Sequence, residues 1–153
     1  MPESVAALLA DDAPAVDLAE RWTSAEELLV TARGWLYAAA LETALKVREA
    51  ALVSANGYSV ADLLHGPIAA VDPGAAVLAL RASGPAAGDI DEAVVALRER
   101  GANVQVAHFT GVPEALAPIA ASVRGQQLTL ELALRRGLDP DAPRGLNKVT
   151  ETR

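Results

Sequence analysis

The sequence of 153 residues predicts an α/β fold, a three-layer sandwich in which a parallel sheet lies between two layers of helices. Short apolar runs bounded by glycine or proline, a pattern typical of buried strands, occupy residues 27–33, 75–80 and 103–107. Longer stretches with helical spacing of apolar side chains separate these runs. Strands that alternate with helices favour right-handed βαβ units and therefore a parallel sheet.

The first half of the chain is predicted to begin with two short helices, at residues 3–10 and 14–22. After the first strand, a helix is expected from Trp35 to about Val53, followed by a turn at Asn56-Gly57. Ser59 is a suitable N-cap for a short helix over residues 60–64, which Gly66-Pro67 would end.

In the second half, an amphipathic helix is expected over Asp89–Arg100, and a long one from Glu114 or Pro118 to Arg136. The predicted organisation is therefore a helical N-terminal segment (1–25), an α/β domain (26–137) and a C-terminal tail (138–153). A domain of this length can bury a full core without disulfides.

Composition excludes several classes of function. The absence of cysteine excludes disulfides and thiolate metal sites, two histidines are too few for an all-histidine site, and no metal or cofactor is expected. The net charge of −7 argues against non-specific nucleic-acid binding. No apolar run approaches the ~20 residues of a membrane span, and the N-terminus lacks the basic start of a signal peptide, so a cytoplasmic location is expected.

Three charged residues of the helix that starts near Trp35 share one face, because Glu42, Lys46 and Glu49 are spaced by four and three residues. One interpretation is a solvated stripe with a favourable ion pair worth ~0.2–0.5 kcal/mol. The other makes Glu49 a general base, with Lys46 close enough to keep it ionised.

The remaining candidates lie at chain turns and in the tail. His65 is either a histidine stabilised at a helix end or a proton shuttle that titrates near neutrality, whereas His108 is interpreted as structural. Only two of the 13 basic residues are lysines. Lys148 is either a charge of the C-terminal tail without a specific role or a nucleophile that could attack a carbonyl, as arginine cannot. Arg33 and Gly34 follow the first strand, at the edge of the sheet where such folds bind ligands.

The segments ALETALKVRE, LLHGP and DPDAPRGLNKVT, in this order and spacing, resemble the second sugar isomerase (SIS) domain of glucosamine-6-phosphate synthase and its relatives. The resemblance extends from about residue 26 to the C-terminus. It implies a layered α/β fold, in which two such domains pair within each subunit. The residues Asp62–Pro67 and Leu146–Thr150 look more like the shorter members, which resemble glucosamine-6-phosphate deaminases and fructosamine-phosphate deglycases.

The resemblance also implies roles for individual residues. Glu49 falls on the enolisation base, His65 on a ring-opening histidine that is donated to the neighbouring subunit, and Lys148 on the tail lysine that meets the open-chain sugar. Supporting or substrate-binding positions are Glu42, Lys46, Arg33, Gly34 and Asn147. The implied partners are a sugar phosphate of the glucosamine-6-phosphate or fructose-6-phosphate class, an N-terminal SIS domain in cis or in trans, and a second copy in a homodimer.

Two departures from the family pattern affect these expectations. The Ser/Thr-rich phosphate-binding loop of the other SIS domain has no counterpart here, so the chain alone is expected to be inactive. The chain is also about a dozen residues short between the third strand and the last helix, which predicts a sheet lacking one edge strand.

The alternative functions are a non-catalytic sugar-phosphate sensor and a dimerisation module that uses the apolar helix face formed by Ala38, Leu41, Leu45 and Leu52.

Overall fold

The computed structural model of the chain describes residues 2–145. Six α-helices and four strands follow one another along this part of the chain. In order, they are α1 (Pro2–Ala10), α2 (Ala13–Trp22), β1 (Glu27–Ala32), α3 (Tyr37–Lys46), β2 (Ser54–Ser59), α4 (Val60–Leu64), β3 (Ala76–Ala82), α5 (Ala87–Glu99), β4 (Asn103–Phe109) and α6 (Ala117–Arg135).

The four strands form one parallel sheet in the order β2-β1-β3-β4. The chain therefore reverses its direction of winding between β1 and β3, and the crevice at the carboxyl ends of these two strands is the topological switch point of the fold. β2 and β4 are the two edges. The predicted fold class, a parallel sheet in an α/β sandwich, is confirmed.

Each face of the sheet carries its own hydrophobic core, and this makes the fold a three-layer sandwich. On one face, α1, α2, α3 and α6 bury Val30, Leu78, Leu80 and Leu128. On the other face, α4 and α5 bury Leu63, Val77 and Leu97. The N-terminal helices share the first of these cores, because Ala15, Ala19 and Trp22 of α2 are almost fully buried in it.

The sequence-based prediction was wrong about residues 54–59, where a turn at Asn56-Gly57 was expected and strand β2 is found. Pairing of this segment with β1 outweighs its local preference for a turn. Gly57 also allows a close approach to α3, because a Cβ at this position would lie 3.0 Å from the carbonyl oxygen of Ala40 and from the Cα of Leu41.

Other elements agree with their predicted positions. Ser59 caps α4 as expected, since its Oγ accepts a hydrogen bond from the backbone N–H of Asp62. The predicted helix over 35–53 is divided into a 3₁₀ turn at Gly34–Leu36, α3, and a π-helical turn at Val47–Ala51. Within residues 2–145, no helix is long and apolar enough to span a bilayer.

Helix α3 packs against α6 at one glycine. A Cβ added to Gly125 of α6 would lie 2.1 Å from Oγ1 of Thr43, which is 1% exposed. The absence of a side chain at position 125 therefore sets the distance between the two helices. With Gly57 on its other side, α3 is held between strand and helix at two points of close contact.

Candidate functional site

The charged stripe of α3 is assembled as its spacing predicted. Lys46 Nζ donates a hydrogen bond of 2.7 Å to Glu49 Oε2, and both side chains are about one-third exposed. Glu42 lies one turn earlier on the same helix and adds to the negative potential around Lys46. The three side chains are therefore accessible to a ligand while the opposite face of α3 is buried.

Glu49 lies within the π-helical turn, a local departure from α-helical geometry that is frequent at functional sites. The turn ends at Leu52, which has left-handed backbone angles (φ 54°, ψ 35°), an unfavourable conformation for a leucine. Arg48 in the same turn donates a hydrogen bond to the backbone carbonyl of Ala55. These contacts fix the orientation of the turn relative to β2.

Lys46 is a cation at neutral pH. Its hydrogen bond to Glu49 raises its pKa above the ordinary value of 10.5. Burial opposes this rise, and the negative charges of Glu49 and Glu42 add to it. A lysine that stays protonated cannot act as a nucleophile. Its chemistry here is electrostatic, because it presents a positive charge beside a carboxylate.

An exposed apolar stripe runs beside the charged one on the outer surface of α3. Leu41, Leu45 and Leu52 are 45%, 37% and 42% exposed, and Ala38 is exposed as well. We call these four residues the α3 apolar stripe. Exposed apolar patches rimmed by polar residues are typical of surfaces that another protein covers.

Arg33 and Gly34 lie far from Glu49. They follow the carboxyl end of β1, whereas α3 runs back along the sheet and the π-helical turn lies near the start of β2. The six residues of β1 separate the two ends by about 20 Å. Arg33 Nε instead donates a 2.9 Å hydrogen bond to Oδ2 of Asp89, which belongs to α5.

The switch-point crevice between β1 and β3 also contains Glu114, a residue that sequence reasoning missed. A Cβ added to Gly84 would lie 2.3 Å from Glu114 Oε2, and one added to Gly34 would lie 3.8 Å from Oε1. The crevice thus contains one arginine and two carboxylates. An anion entering it would meet a net negative charge.

His65 lies on the opposite face of the sheet from Glu49. It ends α4, whose Val60 and Leu63 belong to the core beneath α4 and α5, whereas Val47 and Ala51, which flank Glu49, belong to the core beneath α3 and α6. Its side chain is exposed. The structure does not bring His65 and Glu49 together within one chain.

Asn147 and Lys148, the two tail candidates, lie outside the described residues. Among residues 2–145, no group of three or more histidine, aspartate or glutamate side chains could hold a metal ion.

The chain is similar in sequence to a known domain family and to known enzymes. The SIS domain family model matches residues 23–120. The glutamine–fructose-6-phosphate aminotransferase (isomerizing) of Methanothermobacter thermautotrophicus is 31% identical over 165 residues, which cover 97% of this chain and 28% of that protein. The chain thus spans about a quarter of the length of such curated relatives.

Solved structures show the same fold. The C-terminal domain of glucosamine-fructose-6-phosphate aminotransferase from Francisella tularensis superposes with a TM-score of 0.83 at 22% identity, over 89% of this chain and 43% of that one. The glucosamine-6-phosphate deaminase of Thermotoga maritima superposes with a TM-score of 0.69 at 24% identity, over 92% of this chain and 47% of that one. With a family model that matches most of its length, the chain belongs to the SIS domain family.

Proposed function

We propose that this chain is the C-terminal SIS half of an enzyme that isomerises phosphosugars or aminosugar phosphates, of the isomerase, deaminase or synthase type. The observation that carries the proposal is the partly exposed Lys46–Glu49 pair, a 2.7 Å contact where α3 meets the π-helical turn. Relatives that bear the names of aminosugar-phosphate enzymes support the same class of substrate.

In the proposed reaction, Glu49 is the general base. Its carboxylate removes a proton from the carbon next to the carbonyl of the open-chain sugar and returns it to the neighbouring carbon, through an enediol or an enolamine. Lys46 positions the Glu49 carboxylate through its 2.7 Å hydrogen bond and stabilises the negative charge that develops on the sugar. Proton transfer by a placed carboxylate contributes typically 10²–10⁴-fold to the rate.

His65 and Lys148 complete the proposed mechanism. His65 assists ring opening, and because the sheet lies between it and Glu49 in one chain, it would serve the site of a second subunit. Lys148, with Asn147 beside it, would orient the carbonyl carbon or hold it covalently.

The phosphate of the sugar would be held by another domain. In this chain, Arg33 at the switch-point crevice is already paired with Asp89, and the Glu114 carboxylate lies close to Gly34 and Gly84. We propose that an N-terminal SIS domain, in cis or in trans, supplies the phosphate site and covers the α3 apolar stripe. Complete burial of the half-exposed leucines would contribute on the order of 1 kcal/mol each to this association.

Calorimetry on the 153-residue chain with glucosamine-6-phosphate and fructose-6-phosphate tests this division of roles. No binding is expected up to millimolar sugar for the chain alone. After addition of the N-terminal SIS domain of the Methanothermobacter relative, binding and isomerisation are expected, and Glu49→Gln should reduce turnover to less than a tenth. Glu92→Gln, an exposed position on α5, is the matched control. Retention of more than a tenth of the turnover by Glu49→Gln would exclude the base role.

The α3 apolar stripe favours one second candidate, a non-catalytic binding or dimerisation module. Under this alternative, Leu45→Glu would turn a dimer into a monomer on gel filtration, and no sugar phosphate would be converted even with the N-terminal domain present. Under the catalytic proposal, Leu45→Glu prevents the association with the N-terminal domain and turnover is lost with it.

A further inference from the structure

Strand β4 presents an open edge of the sheet. Within residues 2–145 it pairs only with β3, in an unbroken register from Ala76↔Asn103 to Ala82↔Phe109. An edge of seven residues without proline, lysine or a bulge lacks the devices by which proteins usually protect such edges. Its backbone groups are suited to pairing with another extended segment.

A cavity of about 340 Å³ lies beside this edge. Residues 105–109 of β4 form one wall, and Leu8 of α1 and Arg124 of α6 also line the cavity. Helix α2 forms the other wall through Pro14, Asp17, Leu18 and Arg21. Five strand residues extend over about 17 Å. The cavity therefore offers a short extended segment both a strand edge and a side wall.

The lining of this groove is basic in an acidic chain. Arg21 and Arg124 share this lining with a single carboxylate, that of Asp17, while the chain as a whole carries a net charge of −7. Within residues 2–145, neither arginine has a carboxylate partner; Arg124 donates only to the backbone carbonyl of Asp11, at 2.7 Å. Two arginines without carboxylate partners beside an open strand edge suit an acidic extended peptide.

We propose that the groove between α2 and β4 binds an extended acidic segment of a partner protein, which adds to β4 as a fifth strand and places its carboxylates on Arg21 and Arg124. A second copy of the chain is a poorer occupant, because antiparallel pairing of two β4 edges would bring two copies of the same basic groove together. This inference is independent of the proposed sugar site, which lies on α3.

The test uses a fluorescent seven-residue peptide of alternating glutamate and threonine or valine, titrated with the chain and followed by anisotropy. Binding that is at least tenfold tighter than for the same peptide with lysine in place of glutamate is expected. Amide resonances of residues 103–109 should shift on binding. Arg21→Glu should weaken binding at least fivefold, and Arg100→Glu, an exposed arginine on the far side of the sheet, should not.

An N-methylated version of the glutamate peptide separates strand addition from simple charge attraction. Methylation of alternate amides keeps every carboxylate and removes the backbone donors, so binding should be lost. Equal binding of the methylated or the lysine peptide would overturn the proposal. So would shifts of residues 103–109 that depend on protein concentration in the absence of peptide, because these would identify a second copy as the occupant.

Discussion

Lys46 and Glu49 are joined by a hydrogen bond of 2.7 Å across the boundary between α3 and the π-helical turn. The wider turn carries Glu49 on the same exposed side as the lysine, although the buried neighbours Val47 and Ala51 keep the turn anchored to the core. The pair therefore combines accessibility with a fixed position, as a proton-transfer group requires.

The pKa of Lys46 depends on this bond, and we expect Glu49→Gln to lower it towards 10.5, because the hydrogen bond to the carboxylate and its attraction are lost together. Glu42→Gln should lower it less, since Glu42 contributes only at longer range. Titration of the lysine side chain by NMR measures both values. A larger effect of Glu42→Gln would contradict the conclusion that Glu49 is the main cause of the raised pKa of Lys46.

The same pair makes a small contribution to alkaline stability. Because folding raises the pKa of Lys46, the stabilisation is fully present below the unfolded value of 10.5 and is lost as the pH rises through the folded value. For a partly exposed pair it is worth about 0–1 kcal/mol. Chemical denaturation of Lys46→Gln at pH 8 and pH 11.5 should show the difference from wild type shrinking at the higher pH.

Gly57→Ala should destabilise the protein by about 1–3 kcal/mol, because the added Cβ would meet backbone atoms of α3 at 3.0 Å and backbone cannot move aside. Gly88→Ala is the matched control. It lies in α5 with nothing within 4 Å of the added carbon, so it should stabilise by about 0.5–1 kcal/mol. Urea denaturation of the two variants measures both, and equal effects would refute the packing argument.

Gly125→Ala should also be destabilising, and Thr43→Ala should relieve most of its cost. The added Cβ meets Thr43 Oγ1 at 2.1 Å, Cβ at 3.0 Å and Cγ2 at 3.1 Å, and the second substitution removes Oγ1, by far the closest of these atoms, together with Cγ2. A double-mutant cycle by urea denaturation should give a coupling energy of about 1 kcal/mol or more. Additive effects would show that α3 and α6 adjust their separation elsewhere.

Glu114→Gln should allow inorganic phosphate into the switch-point crevice. Removal of one like charge at about 4 Å is worth about 1 kcal/mol even in water, so calorimetry should show phosphate binding at least fivefold tighter than in wild type. Glu92→Gln, on the exposed side of α5, should leave phosphate binding unchanged. Indistinguishable affinities for Glu114→Gln and wild type would mean that Glu114 does not exclude the anion.

Much of the fold follows from local patterns. The alternation of apolar runs with amphipathic stretches predicted three of the four strands, the major helices and the fold class, and Ser59 predicted the start of α4. Strand β2 could not be predicted in this way, because Asn56-Gly57 favours a turn and the need for Gly57 arises only when α3 lies against it.

The same distinction between local patterns and contacts of distant residues applies to the candidate site. The helical spacing of Glu42, Lys46 and Glu49 was sufficient to predict their shared face, because that relationship is local. The place of Glu114 depends on contacts with residues 30 and 80 positions away, and the opposite faces of Glu49 and His65 depend on which layer each helix joins. Neither relationship has a local signal.

The position of α6 has a consequence for how the protein is made. This helix packs against α1, α2 and α3, so the core on their face of the sheet is closed by residues 117–135, which follow the four strands and the other helices along the chain. A nascent chain can pair β1 with β2 and β3 earlier. The apolar faces of α1, α2 and α3, however, stay exposed until α6 has left the ribosome. Chains stalled before Ala117 should therefore be protease-sensitive and bound by chaperones, whereas chains that expose Arg135 should not.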